Sequence, residues 1–144
     1  MLRWSRIGKF ACAGVAVAIY FGLAEWSIRS YVDLTPRGAI VFRMYPPFEK
    51  LSGSEHQLIA YARPTERFIK TMDNLADSND DNNHSPVLLY ENDKLLGPAH
   101  SLHADIANLG QGRYSHWKGQ GFLFSTSDNS DPNSNGRFYW LVVP

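Results

Sequence analysis

The sequence is short of several things, and each shortage excludes something. It has one cysteine, Cys12, so no intrachain disulfide can form. It has no net charge, because 14 Lys and Arg balance 14 Asp and Glu. Beyond Trp26 the acids outnumber the bases, thirteen to eleven. That part lacks the basic footprint of a nucleic-acid binder, and no nucleic-acid partner is expected. No internal repeat occurs, which argues against a solenoid or propeller. The sequence also lacks HExxH, a Cys pair, a GxSxG elbow and a DxDxDG loop closed by Glu.

The amino terminus is short of acids. Arg3, Arg6 and Lys9 precede Phe10, and the first acid is Glu25. Between them, Phe10 to Ala24 carries no charge for fifteen residues. Two readings fit. A cleaved signal peptide has a basic start, an apolar middle of this length and a small-residue exit, here Gly22 and Ala24. An uncleaved anchor from Ile7 to Ile28 would be about 33 Å long as a helix, against a bilayer core of ~30 Å. Trp4 and Trp26 then fall where interfacial aromatics belong, and Lys9 and Glu25 lie near the boundaries. The anchor is the favoured reading: residues 1–28 hold the membrane and residues 29–144 are exported. Lys9, Phe10 and Ala11 before Cys12 do not look like a lipobox.

The exported part is expected to be one small antiparallel β-rich domain with one or two short helices, an α+β fold. Ala39 to Met44, His56 to Ala62, Gly121 to Thr126 and Phe138 to Val143 have strand composition. Pro46-Pro47 stops the first of these. Val87 to Leu96 reads as a hairpin turning at Asn92-Asp93, since both residues tolerate positive φ. Thr65 is a candidate cap for a short helix with Phe68, Met72 and Leu75 on one face, with a strand as the alternative reading of that segment. Ser101 is the expected N-cap of a second helix, with Leu102, Ile106 and Leu109 on one face and Gly110 ending it. Asp77 to Ser85 has no apolar residue and reads as a solvated loop.

The candidate chemistry gathers between Gly97 and Arg137. His100, His103 and His116, near Asp105, are the set that would hold a zinc ion if one were bound. Helical spacing puts His103 and Asp105 on different sides, so no metal or other cofactor is predicted. Ser101 and Ser115 are available hydroxyls without a recognisable nucleophile motif. The loop from Ser125 to Arg137 offers Asp128, Asp131, Asn133 and Asn135 as calcium ligands. Its Asp131-Pro132 and Asn135-Gly136 turns favour side chains that satisfy their own backbone instead. Tyr114, Trp117, Phe138, Tyr139 and Trp140 lie close in sequence to Arg113, His116 and Arg137. Flat rings beside fixed donors are what recognition of a sugar face requires. The residues singled out for ligand binding are His100, His103, Arg113, His116, Trp117, Asp128 and Arg137.

GPAHSLHADI, then GQGRYSHW, then STSDNSDPNSNGR together resemble an uncharacterised bacterial module of the cell envelope. The resemblance covers Ser85 to Val143. Such modules stand alone behind an amino-terminal apolar segment or are attached to enzymes that build or modify surface polysaccharides. The resemblance implies an envelope and polysaccharide setting and carries no activity with it. The expectation is a single-pass bacterial inner-membrane protein, its membrane contact through residues 7–28 and its carboxy-terminal domain periplasmic. Cleavage near Ala24 would instead release it. The expected role is an accessory or binding module for glycans or polysaccharide-handling envelope proteins. The alternative is a small metal-dependent or Ser/His enzyme acting on envelope saccharides.

Overall fold

A computed structural model describes residues 6–50, 59–62 and 72–144. The chain divides into two units, Met1–Asp33 and Leu34–Pro144. The first holds one helix, α1 (Arg6–Ser30). Every side chain from Cys12 to Ser30 is exposed except half-buried Ala24. Cys12–Ser30 is long and apolar enough to cross a membrane, and a signal sequence meets the same description.

The second unit carries β1 (Ile40–Met44), β2 (Glu49–Lys50), β3 (Ile59–Ala62), β4 (Leu88–Glu91), β5 (Lys94–Leu95), α2 (His103–Asn108), β6 (Tyr114–Trp117), β7 (Gly121–Ser125) and β8 (Tyr139–Val143). These strands form two four-stranded antiparallel sheets, ordered β1-β8-β4-β5 and β2-β3-β7-β6. The expected antiparallel α+β class is what the domain has.

The core lies between the sheets. Met44, Leu89, Tyr139 and Leu141 from the first sheet meet Tyr114, Phe122 and Phe124 from the second, with Phe48, Met72, Val87 and Leu96 completing the cluster. Phe48 stands edge-on to both Phe124 and Tyr139, with centroids 5.5 and 5.6 Å away, an arrangement that suits aromatic quadrupoles. Alternation along β8 separates Tyr139, buried, from Phe138 and Trp140, which face outward around the Arg43 guanidinium. Of the two ring sets in that strand, Tyr139 is the core one.

Local chemistry explains the turns. Asn92 sits at φ 56°, as the hairpin requires. Its side-chain oxygen also accepts the N–H of Phe138, 2.9 Å away, which ties the turn to the start of β8. Gly110, at φ 61°, ends α2 and donates its N–H to the Asp105 carbonyl.

Three expectations need correction, and one strand had not been anticipated. Leu102, not Ser101, is the N-cap of α2, and no side chain caps that helix. The N–H of Ser101 is bonded to the Tyr114 carbonyl and its Oγ donates back to the Pro98 carbonyl at 2.8 Å, so the residue still belongs to the preceding turn. Of the proposed apolar face only Ile106 is buried, against Leu123; Leu102 and Leu109 are exposed, and the helix meets the sheet through Ile106 and the partly buried Ala107. Tyr114 to Trp117 is a strand. The segment Asp77 to Ser85 is not solvated throughout: Asp77 and Ser85, at its ends, are buried. The helix proposed after Thr65 falls mostly outside the described residues; Met72 and Asp73 are helical, and Met72 is in the core.

Candidate functional site

On β6, Tyr114 and His116 point toward the core between the sheets, while Ser115 and Trp117 face the other way. On that outer face α2 packs through Ile106 on Leu123, the register partner of Ser115. The turn leading into α2 runs beside β6, held by the Tyr114 N–H on the Pro98 carbonyl and the Ser101 N–H on the Tyr114 carbonyl. Between turn, helix and strand lies a pocket of about 310 Å3, small for a ligand site but within the usual range. His100, Ser101, Leu102 and His103 form one side; Ser115 and Trp117 come from β6; Asp77, Asn82 and Gln120 complete the lining.

Asp77 organises this pocket. Its backbone is pinned to β6 from both sides, its N–H on the His116 carbonyl and its carbonyl accepting from the Lys118 N–H, each at 2.9 Å. The carboxylate is 1% exposed. One oxygen accepts the N–H of Ser85 at 2.8 Å; the other meets Nδ1 of His100 at 2.7 Å. A carboxylate at Nδ1 fixes the proton there and leaves Nε2 as an acceptor in the neutral ring. His100 itself is held at φ 54°, a conformation uncommon outside glycine that concentrates at functional positions.

Beneath this pair runs a second one. Ser85 Oγ bonds Nδ1 of His116 at 2.7 Å, and the His116 ring lies flat on Phe122 with centroids 3.9 Å apart. Burial pushes the His116 pKa down to about 4, although Asp77 and Asp73 pull the other way. His116 is therefore a neutral hydrogen-bonding support at neutral pH. It does not line the pocket. Ser85 reaches both His116, through its hydroxyl, and Asp77, through its N–H. The chain of contacts thus runs from the core to His100.

Ser115 supplies the remaining distinctive group. The residue is 2% exposed, and its Oγ has no hydrogen-bond partner among the described residues. A buried hydroxyl left unpaired costs about 1–3 kcal/mol. His103 stands edge-on to Trp117, with centroids 6.5 Å apart, and keeps that indole in place at the pocket wall.

The residues singled out from the sequence therefore separate. His100, His103 and Trp117 share the pocket, and His116 lies behind it. Arg113 is elsewhere, donating from Nη1 to the Gly110 carbonyl at 3.0 Å. Asp128 and Arg137 belong to a different cluster. Arg137 binds Asp128 through both carboxylate oxygens and reaches the buried Glu91 at 3.1 Å. Glu91 also accepts from Ser127 and from the Tyr139 hydroxyl. Arg137, then Ser130, hold the Asp128 carboxyl well below its usual range, and Asp128 in turn raises Arg137. Burial, with lesser help from Glu91, raises Tyr139. Asp131 and Asn135 accept the N–H groups of Asn133 and Arg137, as the turn dipeptides suggested. This network ties the last loop to β4. Among the described residues no group of three His, Cys, Asp or Glu side chains is placed to hold a metal ion, so His100, His103 and His116 do not form such a set.

Sequence reasoning missed Asp77, Ser85, Asn82 and Gln120. Asp77 had one local signal: it is the acid that directly follows the apolar Ala76. No protein-family model matches the chain, and neither a curated protein nor a solved structure matches it.

Proposed function

We propose that this is a membrane-anchored envelope protein whose periplasmic domain binds a saccharide in the pocket beside β6. The observation that carries the reading is the buried Ser115 hydroxyl, without a hydrogen-bond partner among the described residues, on a residue that lines the pocket together with Trp117. An indole offers apolar area to a sugar ring, and the hydroxyl, His100 and the Asn82 and Gln120 amides offer polar partners to its hydroxyls. The exposed apolar α1 supports single-pass anchoring, and the resemblance of Ser85 to Val143 to envelope modules supports the periplasmic setting. A second reading, a Ser/His enzyme on envelope saccharides, draws on the Asp77–His100 pair.

The test uses the full chain in detergent micelles, titrated with N-acetylglucosamine oligomers and with xylo-oligosaccharides by calorimetry. Binding is expected, with loss in Trp117→Ala and about a tenfold weakening in Ser115→Ala. Silence with every saccharide would sink the reading. A reporter fused after Pro144 that is active only in the cytoplasm would sink the topology.

A further inference from the structure

We propose that the same pocket hydrolyses an acyl ester carried by a bound sugar, with His100 as general base, Asp77 as the residue that positions it and Ser115 as hydrogen-bond donor to the ester carbonyl. This rests on the saccharide reading of the pocket. Three observations lead to it. Asp77 is a buried carboxylate fixed at four points: two backbone bonds to β6, the Ser85 N–H and His100 Nδ1. Such a carboxylate sets the imidazole tautomer and orientation, and it stabilises the imidazolium that forms when Nε2 takes a proton. His100 is held at positive φ, where a histidine stays only if its surroundings impose it. Ser115 Oγ has no hydrogen-bond partner among the described residues, and its O–H would donate to an oxygen that develops charge.

The arrangement also chooses the chemistry. Among the described residues Ser115 Oγ is bonded to no group, His100 included, so the proposed nucleophile is water. Glycoside cleavage in its common form needs two carboxyl groups flanking the bond. Among the described lining residues Asp77 is the only carboxylate, and it is engaged by His100. An ester needs one base and one donor, which the pocket has.

In the reaction the water oxygen forms a bond to the acyl carbon while its proton passes to His100 Nε2. The carbonyl electron pair moves onto the oxygen facing the Ser115 hydroxyl. Collapse breaks the bond between acyl carbon and sugar oxygen, and that oxygen takes the proton back from His100. The products are a carboxylic acid and a free sugar hydroxyl, and the imidazole is restored.

The test incubates the full chain, in micelles, with glucose pentaacetate and with an O-acetylated xylo-oligosaccharide, and follows acetate by proton NMR. Wild type is expected to release acetate. His100→Gln should lower kcat by about 100-fold or more, a far larger factor than any weakening of the Kd for the deacetylated oligosaccharide. Ser115→Ala should lower kcat by about 100-fold. Asp77→Asn should lower kcat with KM near wild type and change the pH profile of kcat/KM, which a merely structural defect would not do. If Asp77→Asn does not fold, the His100→Gln comparison decides alone. No acetate release, or equal release by wild type and His100→Gln, overturns the proposal. Saccharide binding that persists in that case leaves the binding reading standing; its absence removes both.

Discussion

Acidification from about pH 7 to about pH 4 is expected to lower the stability of the β-rich domain by about 3 kcal/mol through His116. The ring is 2% exposed, lies flat on Phe122 and is bonded through Nδ1 to Ser85. Burial moves its pKa from 6.5 down to about 4. The unfolded chain titrates that ring near its ordinary value, about 6.5. Between those two values the unfolded chain binds a proton that the folded chain does not. Stability is therefore complete above about pH 6.5 and falls as the pH drops toward about 4. Each pH unit in the window is worth about 1.4 kcal/mol, which sets the total at about 3 kcal/mol. Asp128 and Asp131, both held below their usual range, lose their contribution only below about pH 4, so they do not obscure the effect. The assay is urea unfolding at several pH values, comparing wild type with His116→Gln. The variant should be less stable at neutral pH yet lack the slope between about pH 6.5 and about 4. Equal slopes in the two proteins would refute the reasoning, as would an NMR titration placing the His116 ring near 6.5 in the folded protein.

Other perturbations have equally definite outcomes. Arg137→Met removes the cation beside Glu91, which is 4% exposed. Breaking a buried pair costs about 3–5 kcal/mol, and the partial exposure of Arg137 and the retained Ser127 and Tyr139 donors reduce that to about 2 kcal/mol. Adding Glu91→Gln should recover about half, read from urea midpoints at neutral pH. Gly110→Ala places a Cβ at φ 61° and against the Asn129 side chain, whose Oδ1 holds the Gln111 N–H. A loss of about 2 kcal/mol is expected in thermal melts. Ser101→Ala should cost about 0.5 kcal/mol, because the lost bond is a half-exposed one to the Pro98 carbonyl. A loss of about 1 kcal/mol or more would return Ser101 to a capping role.

Much of the fold was legible in local patterns. β1, β7 and β8 fall within the segments of strand composition, β3 within His56 to Ala62, and the hairpin turns at Asn92-Asp93. Gly110 ends α2 as its lack of a Cβ suggested. β6 was not legible: Tyr114 to Trp117 places a Ser and a His between two aromatic rings, which looks like a binding motif rather than a strand. Its strand character comes from antiparallel pairing with β7, an interaction between segments. Ser101 misled for a similar reason. It has the chemistry of a cap, but bonds to Tyr114 and Pro98 claim its backbone and hydroxyl first.

The candidate site was half legible. His100, His103 and Trp117 stood out because histidines and tryptophan beside glycines are a chemical signal at the level of residue types, whereas Ser115 was no more than an available hydroxyl. Asp77 did not, since a carboxylate at the edge of a polar run has the composition of a solvated loop. Its burial follows from two backbone bonds to β6, about forty residues further along the chain.

The sequence by itself determined the apolar amino-terminal helix, the strand-forming segments other than β2 and β6, and the turn positions. Each depends on the side chains of a few consecutive residues, through hydropathy, β-branching and tolerance of positive φ. Tertiary structure alone decided which charged and polar groups meet. It joined Asp77 to His100 across 23 residues, put His116 behind the pocket on Ser85, and assigned Asp128 and Arg137 to Glu91 instead. Those partners are set by sheet order, register and the alternation of faces along β6 and β8. None of these is written in any one segment.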